Sequence, residues 1–512
     1  MATTVNNKRI AKNTILLYFR TLLIMAITLY TSRVILNALG VKDYGIYNVV
    51  GGVVAMFSLL SGSLSNAISR YITFELGRGD TERLKIIFST SVNIQAGLSL
   101  LIMLLGVVGG GWFLNTHMSI PSDRLVAANW VLYCSLLMFC INLISIPYNA
   151  CIIAHERMTA FAYVSILEAS LKLLVCYIIV ISPFDKLISY AVLLVIVAFV
   201  IRLVYGLYCN RHFAECHYKF VHDKALLKQM GSFAGWQFLT HTSWLFNTQG
   251  VNILINLYFG VALNAARGIA TQVDAAVQQF VSNFMTAINP QITKCYAIGD
   301  IDNMFKLVCR GAKFSYYLLL FFALPIMLET DYILTLWLKN VPDHTVLFLR
   351  LTIIGSMLNI LGNSLLTACM ATGNIKKYTI WVSSVGVLVF PLTILAYECG
   401  SPVESTYVIF ILVYIAVLLV KILMSKKLLN FPPVLFIREV LLKIIIITPF
   451  AVILPYLVIV LMPEESFERL IITALTCLFS ISCVIYLLGL SNSERTLIKE
   501  KAILKYRRFL HK

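Results

Sequence analysis

The segment NAISRYITFELGRGD, residues 66 to 80, returns without a gap as TAINPQITKCYAIGD, residues 286 to 300. At that single offset Ala67, Ile68, Ile72, Thr73, Gly79 and Asp80 recur as Ala287, Ile288, Ile292, Thr293, Gly299 and Asp300. Gly40-Val41 maps onto Gly260-Val261 in the same way. Each copy closes a long apolar stretch with a short charged loop, so the duplicated unit is a bundle of membrane helices, a recurrent form among polytopic membrane proteins. Six apolar spans separate Gly40 from Gly260, an even number, so both copies enter the bilayer the same way up. This predicts two parallel six-helix lobes about an axis normal to the membrane.

Composition agrees. Of 512 residues 59% are apolar and only 13% charged, where soluble domains carry roughly 25% charge. Apolar stretches of about 20 residues, enough to cross a hydrocarbon core of roughly 30 Å, recur along the whole chain. The expected spans are 14–39, 45–70, 87–114, 125–152, 160–182, 187–209, 233–259, 267–291, 308–330, 346–370, 378–398, 405–425, 440–462 and 468–490. The expected architecture is an all-α polytopic membrane protein with about 14 transmembrane helices. Residues 1–210 form an N-terminal lobe, 211–232 an inter-lobe linker, 233–428 a C-terminal lobe, 429–490 a terminal helix pair and 491–512 a basic tail.

The net charge of +17 does not point to nucleic acid, because the cations collect in alternate loops. Lys8, Arg9, Arg78, Arg83, Lys85, Arg157, Lys219, Lys228, Lys294, Lys376 and Lys426 fall on one side with the basic tail, while the opposite loops hold few. By the positive-inside rule both termini of this multi-pass protein are cytoplasmic. The first apolar stretch lacks the short core and small-residue site of a cleaved leader and is read as the first span. Linker residues 210–232 mix aromatic and basic side chains, as a segment in the inner headgroup region does, although a plain connector has the same composition. The twelve cysteines show no CxxC and no paired histidine spacing, so neither a disulfide framework nor a metal site is expected.

Function is sought where ionisable groups are forced into the membrane, since a charge at the bilayer centre costs about 2.5 to 3.5 kcal/mol on insertion scales. In the first span Asn13, Arg20 and Thr31 share one helical face; Arg33 lies on another, nearer the outer end, where snorkelling to outer headgroups is set against a cavity role. In the seventh span Gln237, His241, Thr248, Asn252 and Asn256 form a polar stripe, and in the eighth Arg267, Thr271, Asp274, Gln278, Ser282 and Asn289 form another. Two such stripes imply a hydrated chamber. Arg70 ends the polar face of the second span. The candidate substrate-contacting residues are therefore Arg20, Arg70, Arg267, Gln237, Asn252 and Gln278. Asp274, Glu168 and His241 are the groups available for proton or sodium coupling. Glu168 and Lys172 are four apart, which suits an intrahelical ion pair, and a proton-linked Glu168 is the alternative.

The opening NTILLYFRTLLIMAITLYTSRVILNALGVKDYGIYNVVGGVVAMFS, the repeated loop ending in Gly-Asp and the two six-span lobes with a terminal pair resemble the polysaccharide-exporter branch of the multidrug/oligosaccharidyl-lipid/polysaccharide flippase superfamily, which includes O-antigen flippases. The resemblance implies an undecaprenyl-diphosphate-linked oligosaccharide as cargo, moved from the inner to the outer leaflet by alternating access. It implies no cofactor beyond a coupling H+ or Na+, membrane lipids and polysaccharide polymerase machinery as partners, and a terminal pair that holds the lipid tail. A monomer is expected. Arginine forks suit diphosphate oxygens. A multidrug cation antiporter of the same fold is the main alternative, and the excess of arginines at 20, 70 and 267 over buried acids weighs against it. An embedded polysaccharide-synthesis enzyme is a second, and the short outer loops offer it no recognisable catalytic constellation.

Overall fold

The computed structural model describes residues 2–55, 57–116, 122–221, 223–259, 261–338, 341–491 and 494–496, with side chains for most of them; those of Arg33, Asn48, His241 and Asn256 lie outside the described residues. All described secondary structure is helical. Ten of the described helices are long and apolar enough to cross a membrane, from Thr81–Thr116 to Phe467–Gly489. The expected spans 14–39, 45–70, 233–259 and 267–291 are helical but fall outside those ten. They hold the polar stripes, and two of their helices are interrupted: Gly40 is non-helical inside Ala2–Ala55, and a π turn at Phe246–Gly250 separates Lys224–Leu245 from Val251–Phe259, while Val261–Ala297 runs unbroken.

The repeated loop has a physical cause. Helix Ser58–Arg78 stops at Gly79, which takes φ 77 and donates its N–H to the Glu75 carbonyl at 3.0 Å. Gly299 also takes φ 77 and donates to the Tyr296 carbonyl at 3.1 Å. Only glycine enters this left-handed region without a Cβ penalty. The aspartates that follow start the next helix: Asp80 Oδ1 accepts from the Arg83 N–H at 2.9 Å, and Asp300 Oδ1 from the Asn303 N–H at 3.3 Å. Each Gly-Asp pair is thus a helix stop joined to a helix start.

The chain forms two compact units. The first comprises Met1–Thr242, Thr286–Met304 and Met370–Thr379, the second Ser243–Met285, Phe305–Cys369 and Ile380–Lys512. In the first, Thr81–Thr116 and Ser122–Ala154 approach closely because Gly106 carries no side chain; a Cβ there would lie 2.3 Å from Leu136 Cδ2. Ser99 and Cys140 then exchange side-chain-to-carbonyl hydrogen bonds of 3.3 Å each, the small-residue contact that membrane helices favour. Arg124 bonds both Asp43 and Asp185, fixing three helix ends together.

In the second unit, the terminal pair Pro433–Leu461 and Phe467–Gly489 is bonded near both ends of Ile301–Leu328. At one end Arg469 donates to Glu329, Nη2 to Oε2 at 2.7 Å, with Thr473 on Oε1 at 2.9 Å. At the other, Glu494 accepts from Arg310 and Lys313, both at 3.0 Å.

Candidate functional site

Arg20 of the first span meets Glu168 and Lys172 of Met158–Ile181 in a cavity of about 460 Å³ inside the first unit, which Thr28, Thr31 and Tyr47 also line. Arg20 stacks its guanidinium 4.4 Å over the Phe161 ring. Its Nε is buried without a hydrogen-bond partner. Stacking holds the guanidinium plane by cation–π attraction while leaving edge donors to a guest. Lys172 Nζ donates to Glu168 Oε1 at 2.6 Å. The cavity therefore has one ion pair and one extra cation. Thr31 shares it with Arg20, whereas Asn13 donates instead to the Glu156 carbonyl at 3.4 Å.

Arg70 lines a different cavity of the first unit. Its Nε and Nη2 donate to the carbonyls of Met370 (3.3 Å) and Ala371 (2.7 Å). Gln237 is buried in the same unit, and the side chain of its stripe neighbour His241 lies outside the described residues.

Two polar clusters occupy the second unit. Arg267, 4% exposed, donates from Nε to Asn252 Oδ1 at 2.7 Å and sits over the rings of Tyr407 and Phe410. Asp274 Oδ2 accepts from Gln278 Nε2 at 2.6 Å and from Ser356 Oγ at 2.8 Å. Its Oδ1 is buried with no donor. A carboxylate oxygen left unpaired in a buried site costs about 1–3 kcal/mol or more, and a proton or a cation there would remove that cost.

Sequence spacing finds Asp274 and Gln278, four apart on one helix, but not Ser356, whose only signal is a hydroxyl in an apolar run. It also misses Glu156, a residue with φ 57 whose carboxylate accepts from Lys294 (2.9 Å) and Gln291 (3.2 Å). Cys151, Glu215 and Cys216 come together with ligand atoms within 4.8 Å, a grouping that the expectation of no metal site did not anticipate. Glu215 already lies 2.5 Å from His155 Nε2. Burial pushes the Glu215 carboxyl up, but bonding from His155 and from its own backbone outweighs this and holds it below the usual carboxylate range.

Ten described helices of membrane length define a polytopic membrane protein, and its fold is that of the MATE-like transporters of the MOP superfamily. An outward-facing multidrug resistance MATE family transporter of that superfamily superposes with a TM-score of 0.72 at 13% identity, covering 83% of this chain and 96% of its own. A MATE structure in the straight conformation gives 0.70 at 13% over the same shares. A MOP superfamily transporter from Pyrococcus furiosus, for which a reversed polarity of the binding pocket suggests a different function, gives 0.63 at 13%, covering 82% of this chain and 96% of its own. The chain belongs to the polysaccharide biosynthesis protein family, which matches residues 10–295. It is 19% identical over 322 residues to the uncharacterized membrane protein EpsK of Bacillus subtilis (strain 168), a match that spans 62% of this chain and 63% of EpsK.

Proposed function

We propose that this protein is a flippase that moves an undecaprenyl-diphosphate-linked oligosaccharide from the cytoplasmic to the outer leaflet of a bacterial inner membrane by alternating access. The observation that carries this reading is Arg20: a cation committed to the membrane interior, stacked on Phe161, with its Nε unpaired at the wall of a cavity. An anionic diphosphate offers that guanidinium the partner the protein withholds. Arg267, buried against Asn252, is a cation of the second unit at a different position of the repeat. The polysaccharide family supports a saccharide cargo, and the loop charges support cytoplasmic termini. In this reading the sugars travel in the hydrated interior while the prenyl chain stays in lipid, with the terminal pair beside it.

The test is the leaflet distribution of lipid-linked oligosaccharide in cells that carry Arg20→Ala, with membrane levels of the protein measured in parallel. Accumulation on the cytoplasmic side at normal protein level is the expected result. Full delivery to the outer leaflet would remove Arg20 from the site.

A cation antiporter is the second reading, favoured by one observation, the unpaired Oδ1 of Asp274. In the flippase reading the same oxygen takes the coupling H+ or Na+. Export of a fluorescent organic cation that Asp274→Asn abolishes would support the antiporter.

A further inference from the structure

Arg70, Arg78, Arg83, Lys228 and Lys376 line one cavity of about 900 Å³ in the first unit, against the carboxylates of Glu75 and Asp80. Asp80 is already engaged as the cap that accepts the Arg83 N–H. Arg83 is itself paired with Asp223 at 3.4 Å, so the four other cations face two carboxylates and remain in excess.

Their geometry is what oxyanion binding needs. Arg70 stacks 4.6 Å over Tyr71 and 4.7 Å over Phe74, and Arg78 stacks 4.8 Å over Phe74, so two guanidiniums share that ring. Lys376 lies 5.5 Å over Trp236. Face stacking fixes a guanidinium while leaving its in-plane N–H groups free to fork onto phosphate oxygens. Arg70 spends Nε and Nη2 on the carbonyls of residues 370 and 371, and Nη1 makes no hydrogen bond to the described residues. The loop is shaped around it: Gly373 takes φ +77, and a Cβ there would lie 2.7 Å from Arg70 Nη2. The site is held in place before any guest arrives.

A lone carboxylate would leave most of the four cations Arg70, Arg78, Lys228 and Lys376 unanswered, whereas a diphosphate carries two or three charges on closely spaced oxygens. The cavity lies within the roughly 300–1,000 Å³ of small-molecule sites, room for a diphosphate and the first ring attached to it. We infer that this cavity, to which helix Lys224–Leu245 contributes Lys228, is a binding site for diphosphate esters on the cytosolic side. Its assignment to that side rests on the orientation proposed above; its ligand chemistry rests on the residues alone. Two sources carry that chemistry, the headgroup of a lipid-linked saccharide awaiting transport and a soluble nucleoside diphosphate.

The test uses the full chain in nanodiscs of phosphatidylcholine, with inorganic pyrophosphate as the probe. Saturable binding is expected, weakened roughly tenfold or more in Arg78→Gln/Lys228→Gln, since a hydrogen bond to a charged group is worth about 1.5–3 kcal/mol. Both side chains are exposed, and size-exclusion chromatography checks that the variant stays folded. Competition by a polyprenyl diphosphate placed in the discs assigns the site to the lipid headgroup, and competition by uridine diphosphate to the soluble source. No saturable binding, or binding equal in the variant, overturns the inference, and does so whichever way the leaflet assay for Arg20→Ala turns out.

Discussion

The pair Glu329–Arg469 should act as a lock on the terminal helices. Glu329 is 1% and Arg469 5% exposed. Arg469 Nε donates to both carboxylate oxygens, at 3.0 and 3.2 Å, Nη2 to Oε2 at 2.7 Å, and Nη1 to the Pro463 carbonyl at 3.0 Å. Arg469→Met strands the Glu329 charge in a buried site, a loss of about 3–5 kcal/mol, whereas Glu329→Gln costs less because Arg469 keeps Glu465 at 3.6 Å. Cys477, fully buried on the same helix as Arg469, reports the loss. If the pair opens locally, labelling of Cys477 by a maleimide, read by mass spectrometry of its own peptide, should rise by about two to three and a half orders of magnitude at 1.4 kcal/mol per tenfold. The double variant Glu329→Leu/Arg469→Met removes both charges together and should recover most of that protection, because apolar replacement of a whole buried pair is often close to neutral. Labelling raised less than about threefold by Arg469→Met would refute the claim that a buried charge is left behind.

Gly79→Ala and Gly299→Ala should each destabilise by about 1 kcal/mol, from backbone strain alone, because nothing lies within 4 Å of the added Cβ; asparagine at either position should cost less, as thermal unfolding in detergent would show. Gly106→Ala should cost about 1–3 kcal/mol through overpacking on Leu136, and Leu136→Ala in the same chain should return part of it. Burial raises the Glu494 carboxyl, but the Ser491 N–H, Lys313 and Arg310 outweigh this and lower its pKa below the ordinary value. A lowered folded pKa means stabilisation that is present above the unfolded value of about 4.3 and lost as pH falls through the folded one. The stability advantage over Glu494→Gln should therefore be full at neutral pH and vanish in acid; an advantage that grows on acidification would reverse the sign. Arg20→Lys keeps the charge but not the planar fork, and should export less than the parent and more than Arg20→Ala.

The helical class and the paired Gly-Asp punctuation were legible in the chain because both are local: apolar length sets a span, and a left-handed stop followed by an Asp cap needs two adjacent residues. Glu168–Lys172 and Asp274–Gln278 were legible for the same reason, at four-residue spacing. Ser356 on Asp274, Lys294 on Glu156 and Arg469 on Glu329 were not. Each partner comes from a distant helix, and an arginine in a short loop after an apolar run reads as a membrane-edge anchor until its carboxylate is seen. Arg70 shows the limit from the other side. Its helical face and burial follow from spacing, but its hold on the carbonyls of 370 and 371 depends on a turn around Gly373 that periodicity does not report.

The duplication has been kept unequally, and that bears on how such a protein could work. At the repeat offset Gly79-Asp80 matches Gly299-Asp300, with the same φ and the same capping bond. The residues that face polar interiors do not match. Arg20 corresponds to Thr240, Glu168 to Leu388, Arg267 to Tyr47 and Asp274 to Val54. Tyr47 nevertheless lines the cavity that holds Arg20, so the position equivalent to Arg267 is interior in the first unit as well. Two bundles with the same frame can thus divide the chemistry: the first presents a stacked cation with an unpaired donor, the second an acid with an unpaired acceptor. If an anionic cargo engages one and a coupling cation the other, neither ligand need displace the other. Arg20→Ala should then impair cargo recognition at any ion gradient, while Asp274→Asn should leave cargo binding intact and remove only its dependence on the gradient. Loss of cargo binding in Asp274→Asn would show that the two bundles do not divide the work in this way.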